Sequence, residues 1–420
     1  MITLIFSLLG FIYFKIKRDH KNTKKIGRKH KMTPKFVLAP DSFKESMSAK
    51  EVCGAMEKGI RAVFPTAQII KVPMADGGEG TMETLIEATQ GRKITLNVTG
   101  PLPDQEVSAS FGLLGDQKTA VIEMAQASGL EKLPPDQRNP LVTTTYGTGQ
   151  LIKAALDLGV KKIVMALGGS ATNDGGAGMA QALGVQLLDA NHQPLKLGGG
   201  ALKSLEKIAL ATLDPRIKTV EFLIASDVSN PLCGPNGASF VFGPQKGATP
   251  QMVTVLDEAL AHYANRIQKD CKISVKNQAG AGAAGGLGAG LLAFTPAKMV
   301  RGVDLVTGLL ALDEKIKTTD FVFTGEGGID AQTKFGKVPY GVSKIAQQYK
   351  KPCFALAGFI GEGSDVLYDE GITAIFGILE KAQSLNEALR SGKENVTRTT
   401  RAIASVLKSS TLFPKENAHH

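Results

Sequence analysis

The chain of 420 residues is longer than one domain of about 150 residues needs, and a 43% hydrophobic, 21% charged composition excludes wholesale disorder. Its net charge of +10 is not a nucleic-acid footprint, because residues 1–35 hold ten of the 49 Lys and Arg against one acid, Asp19, and leave the body close to neutral. With no Trp and only 6% aromatics there is no stacking platform for single strands, so no nucleic-acid partner is expected.

In chain order, the first feature is the apolar stretch Ile2–Phe14 followed by the basic run. Thirteen residues are too few for a spanning helix, and a signal peptide carries its charge before the apolar part. A short surface anchor is one reading. The favoured one has the mature protein starting near Met32, with the preceding residues an upstream-start artefact or a disordered extension, and no stable membrane association.

Beyond Met32, short β-rich runs alternate with helix-length segments, which predicts parallel-sheet α/β layers. Predicted strands are Phe36–Ala39 and Gln68–Met74, a hairpin from Ile94–Val98 and Glu106–Phe111, then Ala120–Met124, Ile163–Leu167 and Phe222–Ala225. Phe321–Thr324 and Cys353–Ala357 complete the set. Helices are predicted over 48–63, 145–158 and 385–408. A dozen strands exceed one twisted sheet, so two sheets are expected.

The chemistry is sought in loops, because a polar or glycine-rich segment follows almost every strand, where open α/β sheets bind ligands. Asp41–Ser48 offers Ser46 or Ser48 as a helix cap, and Lys44 to meet a phosphate or carboxylate. In Asp76-Gly77-Gly78-Glu79-Gly80, glycines allow close approach while Asp76 and Glu79 present oxygens suited to Mg²⁺ or a hydroxyl proton. Gly168–Gly178, with Ser170 and Thr172, reads as a backbone nest for an anion, without the Walker lysine pattern. Thr324–Asp330, followed by Thr333, Lys334 and Lys337, places acids and lysines on one glycine-rich loop suited to a Mg²⁺-nucleotide. Gly280, Gly282 and Gly285 spell G-x-G-x-x-G, but their Ala-Gly surroundings read instead as small residues for close helix packing or as a helix start near phosphate.

Residue usage removes other chemistries. Only His192 and His262 lie in the body, too few for a zinc site or a Ser-His-Asp triad. Cys53, Cys233, Cys271 and Cys353 form no C-x-x-C pair, the pattern of a reduced, cytoplasmic protein.

Together, Asp41–Ser48, Asp76–Thr81, Tyr146-Gly147-Thr148-Gly149, Gly168–Gly178 and Thr324–Lys337 resemble the bacterial type I glycerate kinase family, in family order from about Phe36 to about Leu407. The resemblance implies ATP-dependent phosphorylation of D-glycerate with Mg²⁺. It also implies two three-layer α/β domains with mainly parallel sheets, one flavodoxin-like and the other built from the chain's early and late portions, with the site in the interdomain cleft. The expected division is 1–34 as the extension, 35–72 plus 295–410 as the discontinuous domain, and 73–294 as the central one.

On that footing Asp174 or Asp76 takes the hydroxyl proton, with Lys44 beside the reaction. Gly168, Gly169, Ser170 and Thr172 hold a phosphate or the glycerate carboxylate, joined on the nucleotide side by Gly325 and Lys337. Asp41, Ser42, Arg138 and Asp227 contact substrate, and Glu326 and Asp330 lie near Mg²⁺. The 2-hydroxyl is preferred over the 3-hydroxyl as acceptor. A kinase for another small hydroxy acid and a membrane-tethered bilobal solute-binding protein are the rival readings, and a homo-oligomer is left open.

Overall fold

A computed structural model describes residues 33–409 of the protein; the expectations for the N-terminal extension fall outside this range. Strands β1 (Lys35–Leu38) and β2 (Gln68–Lys71) pair in parallel and begin one sheet. The chain then leaves to build a second sheet from β3 (Arg92–Thr99), β4 (Glu106–Leu113), β5 (Thr119–Glu123) and β6 (Lys162–Ala166). A small antiparallel ribbon, β7 (Gln186–Leu188) with β8 (Lys207–Ala209), intervenes before β9 (Glu221–Ala225) and β10 (Lys298–Val300). Strands β11 (Phe321–Ile329), β12 (Cys353–Ile360) and β13 (Ala374–Gly377) return to the first sheet.

The first sheet has the order β13-β12-β11-β1-β2 and is parallel throughout. Counted in chain order its strands run 2-1-3-4-5, the flavodoxin-like arrangement, whose ligand crevice opens where the winding reverses, between the first and third strands. The flavodoxin-like order therefore belongs to the sheet made from the two ends of the chain, and not to the central portion as expected. The second sheet, β10-β9-β6-β5-β4-β3, is parallel from β10 to β5 and ends in the antiparallel hairpin read from the sequence. Pairing of β10 with β9 puts residues 298–300 in this sheet, past the expected limit of residue 294.

Strand β1 is apolar on both faces because both are covered. Phe36 and Leu38 pack with Met56 and Ile60 of the helix Ala49–Arg61 and with Ile403 of the helix Gly392–Ser409. Val37 and Ala39 face the other way, into a core that holds Val306, Val338 and Val342 and also Val121, Val164 and Ala225 of the second sheet. The two sheets thus share one apolar layer. On its far side the second sheet buries Ile122, Ile163, Met165 and Phe222 against Leu151, Met179 and Leu287.

Several predicted bounds shift. The glycine-rich segment after Thr324 is not a loop: β11 continues to Ile329, paired with β12 through Gly325↔Leu356 and Gly328↔Phe359. A Cβ on Gly325 would meet the Leu356 carbonyl oxygen at 2.4 Å, so the glycine permits the pairing. The second strand stops at Lys71, and the last predicted helix is two, Leu385–Arg390 and Gly392–Ser409. The 22-residue helix Pro250–Cys271, capped by Thr249, was not anticipated.

Candidate active site

The reversal point of the first sheet lies at the carboxyl ends of β1 and β11. There the Asp41 N–H donates to the Gly325 carbonyl (2.9 Å) and the Thr324 hydroxyl to the Ala39 carbonyl (2.8 Å), bringing Asp41 beside Glu326. Thr333 donates its hydroxyl to Glu326 Oε1 (2.9 Å), and Lys337 Nζ stands 3.5 Å from the same oxygen and 4.0 Å from Asp330. Burial pushes the Asp41 carboxyl up to about 7; repulsion from Asp76 and Glu326 adds to this, while the Ser42 N–H (2.6 Å) opposes it. Glu326 is likewise pushed up to about 7 by burial, against the pull of Lys337 and Thr333, with Asp76 again raising it. Asp227 moves in the same direction, first by partial burial and then by Asp76. Asp76 is the carboxylate that all three sense.

Asp76 is held by close backbone contact. The Met74 N–H donates to the Pro40 carbonyl (2.9 Å), which carries the chain from β2 toward the end of β1. Gly77 has φ +90°, and a Cβ built on Gly302 would lie 1.8 Å from the Asp76 carbonyl oxygen, so the loop sits directly on the start of the helix Gly302–Leu309. The Gly78 N–H donates to Asp76 Oδ1 (2.9 Å). From the other direction Gly336 approaches so closely that a Cβ there would be 3.3 Å from Asp227 Oδ1. The segment after β11 thereby meets the end of β9.

Asp76, Asp227, Gly168, Gly169, Ser170 and Lys246 line one cleft of about 460 Å³, with an apolar portion from Leu130, Leu167, Val228 and Phe242. Lys246 is 1% exposed. Its ammonium donates to Ser170 Oγ (2.8 Å) and to the Thr172 carbonyl (2.7 Å), fixing the loop after β6. Burial pulls the Lys246 amine down to about 7, against the attraction of Asp174.

The remaining predicted residues divide by place. Lys44 is exposed, on a tight turn in which Phe43 and Met47 form a bridge and Glu45 takes φ 63°; its backbone N lies 3.6 Å from the Cβ position of Gly327, next to Glu326. Ser48, rather than Ser46, caps the following helix, in a capping box with Glu51. Gly325 is locked inside the sheet. Arg138 lies along Gly247, one residue from Lys246, and is not among the cleft-lining side chains. Thr172 is buried beneath the loop, with its hydroxyl unpartnered.

Asp174, an expected alternative for the base, is sealed. It is 0% exposed and accepts hydrogen bonds from the Thr145 N–H (2.8 Å) and hydroxyl (2.9 Å), the Gly176 N–H (3.0 Å) and the Gly178 N–H (3.2 Å). With its lone pairs so engaged and outside the cleft lining, Asp174 serves as a backbone anchor in this arrangement, whereas Asp76, the other expected base, lines the cleft. The sequence reading missed Lys246. Gly243-Pro244-Gln245-Lys246-Gly247 looks like a surface turn, and only the fold buries its lysine.

A parallel-sheet α/β protein with acids gathered at a flavodoxin-type reversal point, and a buried lysine across the same cleft, belongs to the class that binds small charged ligands at strand carboxyl ends. The sequence model of the glycerate kinase family matches residues 36–408. Glycerate kinase from Haemophilus influenzae and glycerate 2-kinase from Escherichia coli are each 52% identical over 373 residues, covering 89% of this chain and 98% of theirs. A crystal structure designated glycerate kinase 2 from Salmonella typhimurium LT2 superposes with a TM-score of 0.82 at 49% identity, covering 90% of this chain and 98% of that one. The chain belongs to the glycerate kinase family. Among the described residues no helix is long and apolar enough to cross a membrane.

Proposed function

We propose that this protein transfers the γ-phosphoryl group of ATP to D-glycerate in the cytoplasm, giving 2-phosphoglycerate, in the cleft between the carboxyl ends of its two main sheets. The observation that carries the reading is the meeting of segments hundreds of residues apart around Asp76. Asp41 and Glu326 come from one sheet, Asp227 and the Gly168–Ser170 loop from the other. The 2-position follows the glycerate 2-kinase among the relatives.

Phosphoryl transfer asks chiefly for positioning and charge stabilisation. Asp76 lines the cleft, and one of its oxygens is anchored by Gly78 N–H, which orients the other to accept the hydroxyl proton. Gly168, Gly169 and Ser170 cradle an anionic group, while Lys337 and Lys44 offset phosphate charge from the other wall. Asp41, Ser42 and Asp227 orient glycerate through its hydroxyls, whereas Arg138, outside the cleft lining, is given no contact with it.

The donor set fits Mg²⁺. Among the described residues no three His, Cys, Asp or Glu come close enough to hold a metal alone, whereas Mg²⁺ in such sites takes one or two carboxylates and completes its shell with water and phosphate. Glu326 and Asp330 would hold it, and when bound it neutralises charge on the β- and γ-phosphates. Burial first, and then repulsion from Asp76, raise the Asp41 and Glu326 carboxyls to about 7, and a cation beside them would favour their charged forms.

Initial rates of ADP release across a panel of small hydroxy acids test the proposal. D-Glycerate should exceed the others in kcat/KM, and the phosphorus NMR spectrum of the product should show the 2-phosphate. Turnover of another acid in preference to glycerate would move the assignment to that acid. Ligand binding without ADP release would favour a binding protein.

A further inference from the structure

Lys246 poses a problem that the fold alone does not answer. Lysine is almost never fully buried unless paired, yet this one is among the largest side chains wholly inside the protein, and its two acceptors, Ser170 Oγ and the Thr172 carbonyl, are both neutral. An ammonium has three N–H donors; two are used, and the residue lines the cleft. Asp174 lies on the far side of the loop with its oxygens engaged by backbone and threonine donors, so it supplies attraction without a direct ion pair.

We propose that Lys246 Nζ is a direct ligand for an anionic oxygen of the bound reactants, either a phosphoryl oxygen of the nucleotide or the carboxylate of the acid. The Gly168–Thr172 loop is the frame that aims it. This deepens the kinase reading and rests on it. Three observations converge on an incoming anion. The ammonium retains one donor. Ser170, its partner, lies on the cleft wall next to the exposed backbone of Gly168 and Gly169. Lys246 shares the cleft lining with Asp76 and Asp227, so a reactant that fills the cleft would meet both the base and the ammonium.

The titration of the amine is consistent with that geometry. Burial pulls it down to about 7, and a bound anion restores the charged form. Asp174 is the charged group whose attraction reaches the amine; Arg138 lies along Gly247, Tyr263 of the helix Pro250–Cys271, its ionisation opposed first by burial and then by Asp174, packs on Gly175 of the same loop, and Asp76 and Asp227 line the same cleft.

The test uses the full-length protein labelled with ¹³C at lysine Cε, and the variant Lys246→Met to assign the signal. One lysine should titrate near pH 7 in the free protein and be missing in the variant. Saturating ADP with Mg²⁺, or D-glycerate, added separately, should return its midpoint toward the ordinary lysine range for the ligand it touches. Affinity of Lys246→Met for that ligand should fall about 10- to 100-fold, and its affinity for the other should change less than about twofold. A midpoint that neither ligand moves would overturn the proposal and leave Lys246 as a tie between two loops. Lys246→Arg, which keeps the charge and removes the labelled lysine from the spectrum, assigns the signal where the Met variant does not fold, so the wild-type titration decides the question in either case. Turnover of D-glycerate with an unmoved lysine signal rejects this inference alone, whereas absence of turnover rejects the kinase reading.

Discussion

Two buried charges of opposite sign, Asp174 and Lys246, stand on either side of the loop after β6 and do different work. Asp174 behaves as a backbone anchor, gathering N–H groups from Thr145, Gly176 and Gly178 at one carboxylate. Such a group is costly to remove because its partners would be left unsatisfied inside the protein. Asp174→Asn replaces one acceptor oxygen by a donor among donors, and should lower stability by about 2–4 kcal/mol. Urea denaturation should show this loss, while kcat of the folded fraction stays within about tenfold of wild type. A collapse of kcat with unchanged stability would instead return Asp174 to the chemistry. The sequence marked Asp174 as polar in a glycine-rich loop and could go no further. Whether such a residue faces a cleft or seals a turn depends on Thr145, nearly 30 positions earlier.

At the scale of elements, placement of the acids depends on where backbones touch. The Asp76 loop and the helix Gly302–Leu309 meet with no room for a single methyl group. Gly302→Ala should push the loop outward and shift Asp76 by a fraction of an ångström to an ångström, with kcat/KM falling on the order of 100-fold; the cost in stability should be about 1–3 kcal/mol. Steady-state kinetics beside a thermal melt separate the two effects, and full activity would show that the loop adapts. The strands that lead to the site were legible because buried parallel strands read as continuous apolar runs, as in Phe36-Val37-Leu38 and Ile163-Val164-Met165. The continuation of β11 through Gly325–Gly328 was not. Glycine signals a loop locally, and its use here, to let β12 approach, is visible only when the partner strand is in place. The helix Pro250–Cys271 did carry a readable signature, Thr249-Pro250 followed by Val253, Leu256, Leu260, Tyr263 and Ile267 at helical spacing, though no catalytic motif drew attention to it.

At the scale of the whole molecule, both main sheets turn their carboxyl ends toward one acidic centre and share the apolar layer behind it. The fold therefore spends rigidity on holding like charges together, an arrangement that stability alone would disfavour. Asp41 shows the consequence. Its folded carboxyl titrates near 7, whereas the unfolded group titrates near 3.8, so between those values the folded protein holds the extra proton. Stability is then greatest at the acid end of this window for this group and declines as pH rises toward 7, with the full cost above it. Asp76 is the largest charged contributor to that displacement. Asp76→Asn should accordingly raise stability measured by urea at pH 8, by about 1 kcal/mol, and the gain should shrink at pH 5, where Asp41 is already neutral in the native state. The same substitution should lower kcat about 10²- to 10⁴-fold if Asp76 receives the hydroxyl proton, with the affinity for nucleotide little changed. Stability and turnover moving in opposite directions is the signature of a charge kept for chemistry. A variant that loses both would mean that Asp76 supports the loop, and the base would then have to be sought among its neighbours Asp41 and Asp227.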